Sequence, residues 1–156
     1  MSRTYILLII AAVLLLALLI LYIIDRRLKI NKQKAVRKKL ATIGEVEKEG
    51  KSYYLIIDNK QIQLIFFSLK NNEFLTINSH KMMQIDRGID NKPTLIKYNY
   101  KHPPYKWLII APGLNRVKKA INENEVIFVD YLHEFDNFRV IREEEIDNLV
   151  EEYKNR

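Results

Sequence analysis

The sequence predicts an N-terminal transmembrane helix followed by an α/β (α+β) domain with a mixed sheet, in the element order αβββαβ. Three observations carry this. Tyr5 to Ile24 is an unbroken run of 20 apolar or aromatic residues. A dense group of basic residues follows it at once. The remaining chain then alternates short strand-like runs with three helix-like stretches.

The apolar run contains no charge, no amide and no hydroxyl except those of Tyr5 and Tyr22. At 1.5 Å per residue it spans roughly 30 Å as a helix, the thickness of a bilayer's hydrocarbon core. Each Leu, Ile or Val favours insertion by about 0.3–0.6 kcal/mol, and the two tyrosines stand at the headgroup levels. The run is longer than a signal peptide's apolar region, and no small-x-small cleavage site follows it. Asp25-Arg26-Arg27 resembles a stop-transfer flank, so the segment is expected to be retained. With no intramembrane charge or proline, and alanines only at 11, 12 and 17, it is an anchor and not a transport path.

Orientation follows from the flanks. Only Arg3 precedes the span, whereas Arg26, Arg27, Lys29, Lys32, Lys34, Arg37, Lys38 and Lys39 follow it. The positive-inside bias assigns residues 1–4 to the extracytoplasmic side, 5–24 to the membrane, 25–40 to a basic juxtamembrane segment and 41–156 to a cytoplasmic domain. The eight basic residues are the expected contacts with anionic lipid headgroups, each contributing about 1 kcal/mol near the surface. This distribution decides how the net charge of +7 is read. Residues 1–40 carry +8 and residues 41–156 carry −1, so the domain lacks the broad positive field of a nucleic-acid binder. The absence of cysteine excludes a disulfide scaffold, a thiolate zinc site and a cysteine nucleophile.

Within the domain, Val36, Leu40, Ile43 and Val46 share one helical face, and Gly50 is a plausible stop. Residues 53–57 and 61–67 flank Asp58-Asn59-Lys60, which is hairpin chemistry. A third strand is expected over 74–77, and a weak strand or short helix over 82–85. Trp107 to Ile110 reads as a buried strand, Val117, Ala120 and Ile121 as a helical face, and Val126 to Val129 as a second buried strand. Together these suggest a parallel crossover unit. An edge strand over 138–141 and a terminal helix over 143–153 with an acidic first turn complete the pattern.

This order, with Thr76-Ile77-Asn78-Ser79 and the stretch Ile121 to Val129, resembles small bacterial nuclease-like proteins of the restriction-endonuclease-like, or PD-(D/E)xK, group, some of which carry an N-terminal membrane helix. The resemblance implies an acidic residue near Tyr53 or Tyr54 and an acidic-x-Lys pair on Gln63-Leu64-Ile65, where carboxylates hold Mg²⁺ and lysine orients water. This chain departs from the pattern at each position, so the resemblance implies a lapsed centre with no catalytic residue, metal or cofactor. The other acidic-x-Lys triplets, at 49–51, 90–92 and 152–154, fall on turns or helix ends.

Other chemistry is weighed residue by residue. Asp130, His133, Glu134 and Asp136 cluster after a strand, but no second histidine lies at ligand spacing, and a polar loop is the better reading. His80 and His102 are isolated. Asn115, with Arg116, Lys118 and Lys119, suggests a capped helix with a solvated basic face, because no phosphate-loop motif accompanies it. Residues 97–107 interleave bases and aromatics, and Lys97, Tyr100, Lys101, Tyr105 and Lys106 are the expected contacts if nucleic acid is bound. No serine-hydrolase or zinc-protease motif occurs. The expectation is a membrane-anchored binding module whose first partner is an unknown cytoplasmic protein and whose second is nucleic acid. The competing class is a metal-dependent nuclease or hydrolase.

Overall fold

The computed structural model describes residues 3–70, 72–79, 82–86, 94–97, 105–112, 117–122, 125–135 and 137–156. It consists of one long apolar N-terminal helix and a mixed-sheet α/β domain. Helix α1 runs from Arg3 to Leu40 without a break, about 57 Å at the standard rise. Over its first half it stands clear of the domain: the large apolar side chains from Tyr5 to Ile24 are 42–68% exposed. Its last turns are different, because Val36 and Leu40 are buried in the domain core.

Sequence periodicity suggests that this helical face extends to Val46, yet α1 stops at Leu40. Thr42 N–H donates to the Lys39 carbonyl and Ile43 N–H to the Leu40 carbonyl, tightening the last turn. Gly44 then passes so close to β2 (Ser52–Ile57) that a Cβ there would lie 2.4 Å from the Ile56 carbonyl oxygen. Beyond it, Glu45-Val46-Glu47-Lys48-Glu49 has a period of two as well as a helical one. The open edge of β2 selects the strand, so β1 (Glu45–Glu49) pairs antiparallel to it. Gly50, at φ 58°, turns the first hairpin, and Asp58 and Asn59, at φ 50° and 60°, turn the second.

Strand β3 (Lys60–Phe67) completes an antiparallel meander with β1 and β2. It then pairs parallel with β7 (Tyr105–Ile110), which pairs parallel with β11 (Phe138–Arg142). The two-residue β10 (Glu134–Phe135) closes the far edge, giving the order β1-β2-β3-β7-β11-β10. The 138–141 strand expected at an edge is therefore an inner strand.

A second sheet has the order β6-β5-β4-β8-β9. It comprises β4 (Phe74–Ser79), β5 (Met82–Asp86), β6 (Thr94–Lys97), β8 (Val117–Asn122) and β9 (Glu125–Phe128). Two expectations are corrected here. The 74–77 strand belongs to this sheet and not to the meander. Residues 117–121, read as a helix, form β8, held between β4 and β9 on both edges. A short apolar pattern fits either period, and β4 and β9 both present main-chain groups that only a strand at β8 satisfies. Parallel strands need long crossovers. Here both crossovers, from β3 to β7 and from β7 to β11, run through strands of the second sheet. That sheet stands where a crossover helix was expected, and β8 occupies the helix position of the anticipated αβββαβ order.

Three layers result. One face of the first sheet, with Leu55, Leu64, Ile109 and Ile141, packs under α1 and the terminal helix α2 (Ile146–Lys154), which contributes Ile146 and Leu149. The other face, with Leu108, Ile110 and Val140, packs on Leu75, Ile77 and Met83 of the second sheet. Ahead of α2, Glu145 accepts the Arg142 backbone N–H at 2.9 Å and its guanidinium at 2.6 Å, which satisfies orphan donors at the helix entry. Replacing Gly44 by alanine forces β2 and the α1 exit apart, at an expected cost of about 1–3 kcal/mol. Urea unfolding of the full chain in detergent, followed by fluorescence of the single, buried Trp107, measures it.

Candidate functional site

The basic residues after the apolar run all lie on α1, but the fold divides them by face. Those turned toward α2 are spent on ion pairs: Lys32 with Glu143 at 3.1 Å and Lys39 with Asp147 at 2.7 Å. Lys29 pairs with Asp25 at 2.7 Å. These exposed pairs contribute about 0.2–1 kcal/mol each. Arg26, Arg27, Lys34 and Lys38 are exposed and have no ion-pair partner among the described residues.

On the opposite face, α1 and the β1–β2 hairpin enclose an open groove of about 670 Å³. Lys34, Arg37 and Lys38 form one wall, and Val46, Lys48 and Tyr53 form the other. The Arg37 guanidinium lies over Tyr53, 4.1 Å from the ring centroid, and reaches to 5.5 Å from Phe66. The Lys48 ammonium stands 5.9 Å from the same Tyr53 ring. Tyr53 and Phe66 meet edge to face at 6.2 Å, so the guanidinium rests on a fixed aromatic floor. Alternation along β1 aims Val46 and Lys48 into the groove and Glu45, Glu47 and Glu49 away from it. Among the described residues no acidic side chain lines the groove.

The other candidates disperse. Asp130 binds His133 at 2.7 Å and accepts the Leu132 N–H at 3.0 Å. Burial pushes the Asp130 carboxyl pKa up, but its bonds to His133 and Leu132 outweigh that and hold it below the usual range. Glu134 is taken by the buried Arg139 at 3.0 Å, and Asp136 lies outside the described residues. Among the described residues no three of His, Cys, Asp and Glu converge as metal ligands, and Asp130 forms a polar turn. A second hollow of about 460 Å³ beside Asp130, Val117 and Arg142 offers little free charge. Its Arg142 is held by Glu144 at 3.0 Å and Glu145 at 2.6 Å, and the Glu145 bond raises the guanidinium pKa further. Asn115, Arg116, His80 and His102 lie outside the described residues. Because 117–122 is a strand, Lys118 sits over the Phe74 and Phe128 rings and not on a helix face.

The set expected to meet nucleic acid also separates. Tyr100 and Lys101 lie outside the described residues, and Lys97 ends β6. Tyr105 is half-buried, with the Lys60 ammonium 5.2 Å from its ring. Lys106 departs from expectation: it is 4% exposed, between Gln63 and Phe138 on the central strand, and desolvation lowers its pKa. A side chain inside the sheet layers does not reach an external phosphate.

At the nuclease-like positions, Gln63 pairs across the sheet with Tyr54, and Ile65 packs into the inter-sheet core. Lys48 is the residue that sequence reasoning overlooked. Its signal was the period of two in 45–49, which separates one lysine from three glutamates. Comparison with known proteins finds no matching family model, curated protein or solved structure.

The lowered Lys106 pKa has a consequence for stability. The unfolded chain holds this proton more tightly than the folded one, so the charged form opposes folding. Stability therefore climbs as pH rises from the lowered folded-state value toward the ordinary 10.5. Lys106→Met removes that rise, while leaving salt-dependent retention on immobilised DNA unchanged. Thermal unfolding followed as pH rises toward 10.5, compared in the two proteins, checks it.

Proposed function

We propose that this protein is a single-pass membrane-anchored binding module that presents its α/β domain on the cytoplasmic face. The observation that carries the reading is the continuity of α1. One helix is long and apolar enough to span a membrane, none of that segment is buried, and the same helix enters the domain core through Val36 and Leu40. In water, this much contiguous apolar surface is untenable. In a bilayer it costs nothing, and the rigid continuation then holds the domain close to the surface. From Ile24 to Val36 is 12 residues, about 18 Å along the axis.

Cytoplasmic orientation is supported by the unequal flanks, with the basic residues on the domain side of the span. Exposed Arg26 and Arg27, within the first turn beyond the span, are the natural contacts for anionic headgroups. Binding is favoured over catalysis by the spent state of the acidic clusters and by the open groove beside α1. The partner we place first is a cytoplasmic one; nucleic acid stands behind it, since Lys106 is withdrawn from the surface.

A second reading treats the domain as a lapsed restriction-endonuclease-like fold. In its favour is the antiparallel meander β1–β3 continuing into parallel β7, with Ile65 where lysine would be required. The strand at 117–122 weighs against it.

Alkaline carbonate extraction of cells expressing the full chain is expected to leave it in the membrane pellet. Arginine at both Leu14 and Leu15, each costing about 2.5–3.5 kcal/mol at a span centre, shifts it out. A C-terminal fusion to green fluorescent protein is expected to fluoresce and one to alkaline phosphatase to be inactive. The reverse pattern places the domain outside the cytoplasm.

A further inference from the structure

The groove between α1 and the first hairpin gathers cations from two unrelated parts of the chain. Lys34, Arg37 and Lys38 come from the helix, where no acidic residue occurs between positions 26 and 44. Lys48 comes from a strand otherwise rich in glutamate, and strand alternation delivers the lysine alone to the groove. A collar needed only for topology does not require this fourth charge. The four cations have no ion-pair partner among the described residues, unlike Lys32 and Lys39 around the same helix. Water and salt screen these charges, and a bound anion would offset their mutual repulsion further.

Arg37 is also preorganised. Its guanidinium carbon is held 4.1 Å from the Tyr53 ring centroid, while its N–H groups have no acidic acceptor among the described residues. A planar fork flanked by ammonium groups suits a phosphate, whose several oxygens accept bidentate and lateral bonds together, better than a single carboxylate. Apolar Val46 and the Tyr53 ring would lie against an organic body. A volume of about 670 Å³ is that of a small-molecule site.

Height along α1 selects the source of the phosphate. Lys34 and Lys38 lie 10 and 14 residues beyond Ile24, about 15 and 21 Å along the axis. The headgroup layer is only about 5–8 Å deep. A tilt of about 40°, the upper end for such helices, still leaves the groove above it. We propose that the groove formed by Lys34, Arg37, Lys38, Lys48 and Tyr53 binds a phosphorylated ligand taken from the aqueous phase. The choice of source rests on the membrane-anchored reading; the phosphate chemistry does not.

The test is isothermal titration of the full chain with pyrophosphate, in nanodiscs of phosphatidylcholine at low salt. Saturable binding that weakens as salt rises is expected. Arg37→Gln and Lys48→Glu each weaken it about tenfold or more, the worth of one charge-assisted hydrogen bond. Lys32→Gln, on the ion-paired face, leaves it unchanged. Trp107 fluorescence on heating verifies that each variant is folded, and Lys48→Glu, an exposed strand position, keeps the test open if Arg37→Gln unfolds. Absence of saturable binding, or binding by folded Lys48→Glu equal to that of the unaltered chain, overturns the proposal. In nanodiscs containing phosphatidylglycerol, the ratio of affinities between the unaltered chain and Lys48→Glu is expected to persist. A ratio that collapses to one means a lipid headgroup occupies the groove, and the aqueous source is then wrong. Carbonate extraction reports separately on the anchor. A chain that is extracted yet binds pyrophosphate refutes only the source, and one that stays in the membrane without binding refutes only the groove.

Discussion

Burial of Val36 and Leu40 against the first sheet is the contact on which the rest of this structure depends. Both belong to a helix whose turns from Tyr5 to Ile24 are apolar on every face and exposed. A flexible linker between an apolar segment and a domain would leave their relative orientation free. Here the last turn of the long helix is itself part of the core, so whatever environment takes up the apolar portion also orients the domain. The ion pairs of Lys32 with Glu143 and of Lys39 with Asp147 add little energy; burial of Val36 and Leu40 sets the rotation of α1 about its own axis. That rotation determines which cations are spent and which face the groove.

The two-sheet architecture follows from a different constraint. Parallel pairing of β3, β7 and β11 demands two crossovers, and each is built of strands instead of a helix. The first sheet is therefore covered on one side by helices and on the other by its own connections. Strands β7 and β11 are buried on both faces, which is why Trp107 to Ile110 reads as a continuous apolar run. The same burial draws Lys106 out of reach of solvent.

Much of the secondary structure was legible, because its signals were local. The Asp58-Asn59 turn, the strands at 53–57, 61–67 and 107–110, and the terminal helix stand where the sequence placed them. Failures came where a segment carried two periods. Ile43 and Val46 extend a helical stripe and also begin an alternating strand; Val117, Ala120 and Ile121 fit a helix as well as a strand. In both cases an unsatisfied neighbouring strand made the choice, and no local window contains that neighbour. The candidate site was half legible. Its helical cations were visible as a charge run, whereas Lys48 joined them only through a turn of the chain at Gly44 and pairing with β2.

By itself the sequence determined the long apolar segment, its basic flank and the charge contrast between the two parts of the chain. These are properties of composition and spacing, and they survive any packing. Tertiary structure alone decided that the apolar helix continues into the core, that residues 117–122 are extended, and that a lysine of an acidic strand faces a helix's unpaired cations. Each of these depends on which main-chain and side-chain groups lie opposite one another across layers, and pairing between distant segments is a question of register that no single stretch of chain can answer.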